Sequence, residues 1–86
     1  MRLLFDKKFL KLVGKIPQNQ QKKLAKLLTI LEENPFDARL HTKQLSTPLE
    51  GLFSFRITRE YRVLFRFLSE DTLFLTNVKH RKDIYK

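Results

Sequence analysis

The run from Phe53 to Phe67 alternates with period two. Phe53, Phe55 and Ile57 fall on one face, with Ser54, Arg56 and Thr58 on the other. After a short polar link, Tyr61, Val63, Phe65 and Phe67 share a face against Arg62, Leu64, Arg66 and Leu68. Aromatic and β-branched residues alternating with polar ones mark a half-buried strand, so the pattern predicts a hairpin. Residues directly opposite in an antiparallel pair share a face. A loop of Arg59-Glu60 alone would set Ile57 against Arg62, mixing core with charge. A loop of Thr58 to Glu60 sets Ile57 against Tyr61, Phe55 against Val63 and Phe53 against Phe65, and this register is expected. It also sets Arg56 beside Arg62 on the other face, where two guanidinium groups repel. They either splay into solvent or serve as an anion site.

The flanking segments complete the predicted elements. Arg2 to Phe5 is a short strand, and Asp6 is a good N-cap for the segment after it. Phe9, Leu12, Val13 and Ile16 recur at the spacing of one apolar helix face. Gly14 weakens the end of that helix and Pro17 breaks it. A second helix is expected from about Pro17 to Glu33, with Leu24, Leu27, Leu28 and Leu31 as its stripe, and Asn34-Pro35 stops it. The two helices read as an antiparallel hairpin. Phe36 to Gly51 is irregular, with Phe36, Leu40, Leu45 and Leu49 as its anchors. A loop of Ser69 to Thr72 leads into a last strand, Leu73 to Lys79. A loop of that length sets Phe67 against Phe74, Val63 against Val78 and Arg62 against Lys79. The face opposite the core then has an apolar end (Leu64, Leu68, Leu73, Leu75) and a basic end (Arg56, Arg62, Lys79), with the His80-to-Lys86 tail hanging from the basic end. The expectation is an α+β fold, an N-terminal strand and two-helix hairpin packed on an antiparallel sheet, as one domain over residues 1–86.

Composition narrows the partners. At 86 residues a chain buries roughly 60–65% of its unfolded surface, enough for one modest core. Lys plus Arg number 18 against 9 Asp plus Glu, a net charge of +9. That field favours polyanions such as RNA, DNA or the ribosome. In the second helix Lys22, Lys23 and Lys26 precede Glu32 and Glu33, an order that opposes the helix dipole. Packing must carry this helix, and its basic start is either a solvated face or a contact surface. No cysteine is present, so no disulfide framework is expected. No run approaches the roughly 18 apolar residues of a membrane span, and there is no signal-peptide pattern. A cytoplasmic protein with no membrane partner is expected.

Little of the usual catalytic vocabulary is visible. Two distant histidines and scattered acids form no metal cluster, so no metal, cofactor or small-molecule ligand is expected. Gly14 and Gly51 form no phosphate loop. The basic end of the sheet can bind a phosphodiester, and with suitable proton transfer it can cleave RNA through the 2′-hydroxyl. Arginines would stabilise the phosphorane. His80 would move a proton near neutral pH, or pack under Tyr61. Tyr85 would stack on a base, pass a proton or anchor the tail against the sheet.

Asp6-Lys7-Lys8-Phe9, Leu49-Glu50-Gly51, Phe55-Arg56-Ile57, Tyr61-Arg62-Val63-Leu64-Phe65 and His80-Arg81-Lys82-Asp83-Ile84-Tyr85 resemble the RelE/ParE superfamily of bacterial and archaeal toxins. The resemblance spans nearly the whole chain. It implies a toxin of a type II toxin-antitoxin system, neutralised by a cognate antitoxin. The RelE-like branch cuts mRNA in the ribosomal A site, and the ParE-like branch inhibits DNA gyrase. On the first branch the chain is an endoribonuclease whose partners are the ribosome, mRNA and an antitoxin. The resemblance then assigns Arg62 and Arg56 to the phosphorane, His80 or Arg81 to proton transfer or charge, and Tyr85 to the base. Lys79, Lys82 and Lys86, with Lys22, Lys23 and Lys26, would grip RNA, and Leu64, Leu68, Leu73 and Leu75 would form an antitoxin groove. Ser54 departs from the pattern by standing where a basic residue is found. Glu50 and Glu60 are the candidate acid-base carboxylates of a sister group.

Overall fold

A computed structural model describes residues 1–86. The elements run β1 (Arg2–Phe5), α1 (Lys7–Val13), α2 (Gln18–Glu33), a 3₁₀ turn (Ala38–Leu40), β2 (Lys43–Gln44), β3 (Phe53–Arg56), β4 (Tyr61–Ser69), β5 (Thr72–His80) and a closing 3₁₀ turn (Arg81–Asp83). The α+β class is as expected. The sheet has five strands in the order β1-β5-β4-β3-β2. It is mixed and not antiparallel throughout, because β1 joins the edge parallel to β5. No helix is long and apolar enough to cross a membrane.

Local chemistry sets the helix ends. The Asp6 side chain accepts a hydrogen bond from the Lys8 N–H at 2.8 Å and caps α1. Pro17 caps α2 with no side-chain bond, and Asn34 closes it in extended backbone before Pro35. Phe9 of α1, Ile16 just beyond the end of that helix, and Leu24, Leu27 and Leu31 from α2 are buried against Phe55, Ile57, Val63, Phe65, Leu73, Leu75 and Val78.

The β3–β4 register is the expected one: Phe53 opposes Phe65, Phe55 opposes Val63, and Arg56 opposes Arg62. The Ile57 N–H donates to the Tyr61 carbonyl at 3.0 Å. In the β4–β5 pair, Arg62 opposes Lys79 and Val63 opposes Val78, also as expected. Nearer the turn the register departs. Phe67 opposes Leu73, Ser69 opposes Thr72, and Glu70-Asp71 alone make the turn. The ladder shifts twice, with Leu68 extra on β4 and Thr76 extra on β5. Two β-bulges of opposite sense cancel, so the register is restored by Leu64 opposite Asn77. The Thr76 hydroxyl donates to the Leu64 carbonyl at 3.3 Å, giving that oxygen a partner at the irregularity.

These bulges correct the proposed antitoxin groove. Between them the faces of β5 are exchanged, so Leu73 and Leu75 turn into the helix-packed core and are fully buried. Phe74 turns to the other face, where the Arg66 guanidinium lies 5.6 Å from its ring centroid. Leu64 is on that other face but is also buried, in a second cluster with Leu45 and Ile84 and with Leu49 and Leu52 beside it. The linker and tail roof it. Of the four leucines only Leu68 is exposed, at 48%. The linker is anchored through Leu40 and Leu45, whereas Phe36 remains exposed and packs on Phe53 and Phe67. Gly51 turns the linker at φ 85°, a left-handed conformation that disfavours a side chain.

Truncating Leu73 to Ala therefore removes packed core and is expected to cost about 2–5 kcal/mol. Leu68→Ala should change stability by no more than about 0.5 kcal/mol. Urea denaturation of both variants checks the assignment, and equal losses would contradict the bulged register.

Candidate functional site

Two sheet-directed side chains and two folded-over segments enclose a cleft of about 320 Å³ on the face away from the helices. Its lining is Lys43, Leu45, Ser54, Arg62, Arg81, Lys82, Ile84 and Tyr85. Arg62 and Ser54 come from β4 and β3, on the face opposite Val63 and Phe55. Lys43 arrives on β2, directly opposite Ser54. The tail is held by the buried Ile84 side chain and by the Arg81 N–H, which donates to the Glu60 carbonyl at 2.7 Å. The position of Arg81 thus depends on the β3–β4 loop.

The electrostatics are one-sided. Burial, then the neighbouring guanidinium groups of Arg56 and Arg81, hold Arg62 below the usual arginine range. No carboxylate lines the cleft. The Nε atoms of Arg56 and Arg62 are both buried with no hydrogen-bond partner. An Arg62 terminal nitrogen reaches only the Arg59 carbonyl, at 3.5 Å. Buried donors without acceptors are costly, and an anion supplies both the charge and the acceptors they lack.

Tyr85 closes the cleft. Its hydroxyl accepts the Ser46 N–H at 3.1 Å and lies 3.1 Å from the Ser46 hydroxyl. The side-chain bond, then the backbone bond, to Ser46 lowers the Tyr85 pKa, with a smaller contribution from Lys43. The hydroxyl is thereby fixed to the linker while the residue stays half exposed.

The other expected residues are dispersed. His80 does not line this cleft. Alternation along β5 puts it opposite Tyr61, edge to face at 5.5 Å, on the helix side of the sheet. Its Nδ1 accepts the Lys82 N–H at 3.2 Å and its Nε2 lies 3.8 Å from Glu60. Arg56 is beside Arg62 in register but lines a different cleft. Lys79 reaches back to the Lys86 carbonyl at 3.4 Å, and Lys86 pairs with Asp83 at 3.5 Å. Lys22, Lys23 and Lys26 are exposed on α2, away from the Arg62 cleft. Glu50 accepts a hydrogen bond from Thr47, which lowers its pKa, and lies away from the Arg62 cleft. No group of three or more His, Cys, Asp or Glu side chains is arranged to hold a metal. Lys43 and Ser46 are the residues that sequence reasoning misses, because nothing local in the linker indicates which strand it joins.

The sequence profile of the family described as ParE toxin of type II toxin-antitoxin system, parDE, matches residues 2–85. No curated protein sequence matches the chain. Solved structures are similar over nearly the full length. The RelBE2 toxin-antitoxin complex of Mycobacterium tuberculosis has a chain 26% identical, with 93% of this chain and 96% of that one aligned at a TM-score of 0.77. YafQ from E. coli is 18% identical, with both chains fully covered and a TM-score of 0.79. The YoeB/ParE toxin from Agrobacterium tumefaciens is 20% identical, covering 94% of this chain and 99% of that one, at a TM-score of 0.78. The latter two likenesses concern the fold.

Hydrogen bonds donated to a phenolate oxygen favour the charged form, so Tyr85 should ionise below the usual tyrosine range. Ser46→Ala removes the larger of the two bonds and should move that ionisation upward. Ultraviolet titration in a Tyr61→Phe background isolates Tyr85, and an unchanged midpoint would contradict the Ser46 contact.

Proposed function

The chain belongs to the ParE toxin family of type II toxin-antitoxin systems, and we propose that it is an endoribonuclease that cuts mRNA in the ribosomal A site. The observation that carries this reading is the cleft around Arg62, in which cationic side chains converge with an unpartnered guanidinium nitrogen and no carboxylate. That lining suits a phosphate whose negative charge grows during reaction.

In the proposed reaction the 2′-hydroxyl loses its proton and its oxygen attacks the adjacent phosphorus. A phosphorane forms, and the bond to the 5′-oxygen breaks as that oxygen takes up a proton. The products are a 2′,3′-cyclic phosphate and a 5′-hydroxyl. Arg62 and Arg81 stabilise the phosphorane by charge-assisted hydrogen bonds, and Lys43 and Lys82 hold the flanking backbone. Tyr85, its hydroxyl tied to Ser46, offers its ring to the base. Arg81 takes the tail's charge role. His80, on the far face of the sheet, serves to cap the closing turn.

No imidazole or carboxylate lines the cleft, so rate enhancement rests on charge stabilisation and positioning. This favours a substrate already ordered by the ribosome over free mRNA. The net charge of +9 and the exposed lysines of α2 suit ribosomal RNA, and ribosome binding should weaken steeply with salt. A cognate antitoxin is the second proposed partner, as in the toxin-antitoxin complex from Mycobacterium tuberculosis. Its contact surface is not the four-leucine groove, since three of those leucines are buried.

The missing acid-base pair also supports a second reading, inhibition of DNA gyrase without catalysis, in line with the ParE description of the matched family. Cleavage on programmed ribosomes, run beside free mRNA and a gyrase supercoiling assay, separates the two. Cutting only on ribosomes is expected, with Arg62→Ala slower by about 10²–10³ and His80→Ala slower by less than about tenfold. Intact mRNA with blocked supercoiling would overturn the nuclease reading.

A further inference from the structure

A second cleft, of about 400 Å³, lies on the other side of the arginine pair. It is lined by Lys23 of α2, Arg39 and His41 of the linker, and Arg56, Ile57, Thr58 and Arg59 of β3 and its loop. Five of these side chains are basic, they come from three separate stretches of chain, and none of the lining is acidic. The nearest counter-charge is Asp37, which binds Arg39 through two hydrogen bonds of 3.0 Å and so fixes that guanidinium in place. Lys23, Arg56 and Arg59 have no carboxylate within ion-pair distance.

Two features are otherwise costly to the fold. His41 sits at φ 52°, left-handed backbone that a non-glycine residue adopts at a cost of about 1 kcal/mol or more. Lys23 lies in the basic N-terminal half of α2, where its charge opposes the helix dipole. Both contribute to one concave surface. The Nε of Arg56 is buried without a hydrogen-bond partner, as is that of Arg62. The two arginines are direct register partners, yet each lines a different cleft.

We propose that this second cleft binds a backbone phosphate of single-stranded RNA, next in the chain to the phosphate at Arg62. The Arg56–Arg62 pair then spans neighbouring phosphates of one strand, and their mutual repulsion is relieved from both sides. The inference rests on the RNA-cleavage reading for its choice of polyanion. Its test is independent of cleavage and of the ribosome.

The probe is a fluorescein-labelled single-stranded RNA with every 2′-hydroxyl methylated, so that it cannot be cut. Its binding is followed by anisotropy across a salt series. The triple variant Lys23→Ala/His41→Gly/Arg59→Ala removes three of the second cleft's five basic side chains, and glycine suits the backbone at position 41. The charge-matched control, Lys7→Ala/Lys15→Ala, removes two charges from α1 and the turn that follows it. The triple variant should bind about tenfold more weakly, with the slope of log affinity against log salt reduced by about 0.7 for each phosphate no longer neutralised. The control should weaken by less than about twofold. Equal weakening in both would mean a general field and no site, and an unchanged triple variant would also overturn the proposal. Where the triple variant does not fold, Arg59→Ala set against Lys7→Ala alone carries the same comparison. A wild type that binds this probe through the second cleft yet leaves mRNA intact on ribosomes would sustain the site and refute the nuclease.

Discussion

The register of the β3–β4 hairpin is the constraint on which the rest depends. Phe55, Val63 and Phe65 are fully buried on one face. Burying each such side chain contributes about 1.5–3 kcal/mol. The same register sets Arg56 against Arg62 on the other face. Like charges directly opposed across strands cost less, roughly 0.2–1 kcal/mol. A slip of one residue would separate the arginines but turn the whole aromatic row into solvent. The core therefore wins, and a repelling cationic pair is built into the sheet as a consequence.

That asymmetry explains how the two faces divide the work. One face packs on α1 and α2. The other carries a small second core of Leu45, Leu64 and Ile84, which pins the linker and the tail. Pinning these segments brings Lys43, Arg81, Lys82 and Tyr85 around Arg62. The site is thus assembled from parts distant in sequence, each held by an apolar anchor nearby in the chain. The apolar anchors fix the backbone from which these side chains project, and fixed placement of charge is what electrostatic stabilisation of a transition state requires.

Much of this is legible in the sequence, for a physical reason. Period-two alternation from Phe53 to Phe67 specifies the strands and favours their register, because a Thr58-to-Glu60 loop keeps charge out of the core where a two-residue loop would not. The spacing of Leu24, Leu27 and Leu31 specifies α2 equally well. Arg62, Arg81 and Tyr85 stand out in the sequence, and the fold brings all three to one cleft. The β4–β5 bulges are not legible as such. Their trace is that Leu73 and Leu75 are in step with each other but out of step with Val78, which one uninterrupted strand cannot satisfy. Reading through that break puts Leu73 and Leu75 on the wrong face. The parallel pairing of β1, and the contribution of Lys43 on the two-residue strand β2, depend on long-range closure that no local pattern encodes. The chemistry of His80 suggests a catalytic role, whereas alternation along β5 decides its position.

One fold can host sites of different chemistry, and both proposed readings, nuclease and gyrase inhibitor, use this one scaffold. What they share here is an arginine pair without counter-charge. Its most direct test is side-chain NMR of the Nε–H groups of Arg56 and Arg62 during titration with a short methylated RNA strand. Both resonances are expected to move together and saturate, because both nitrogens gain an acceptor. Shifts confined to exposed lysines, with the two Nε–H signals unmoved, would contradict the account and leave the pair as a tolerated by-product of core packing.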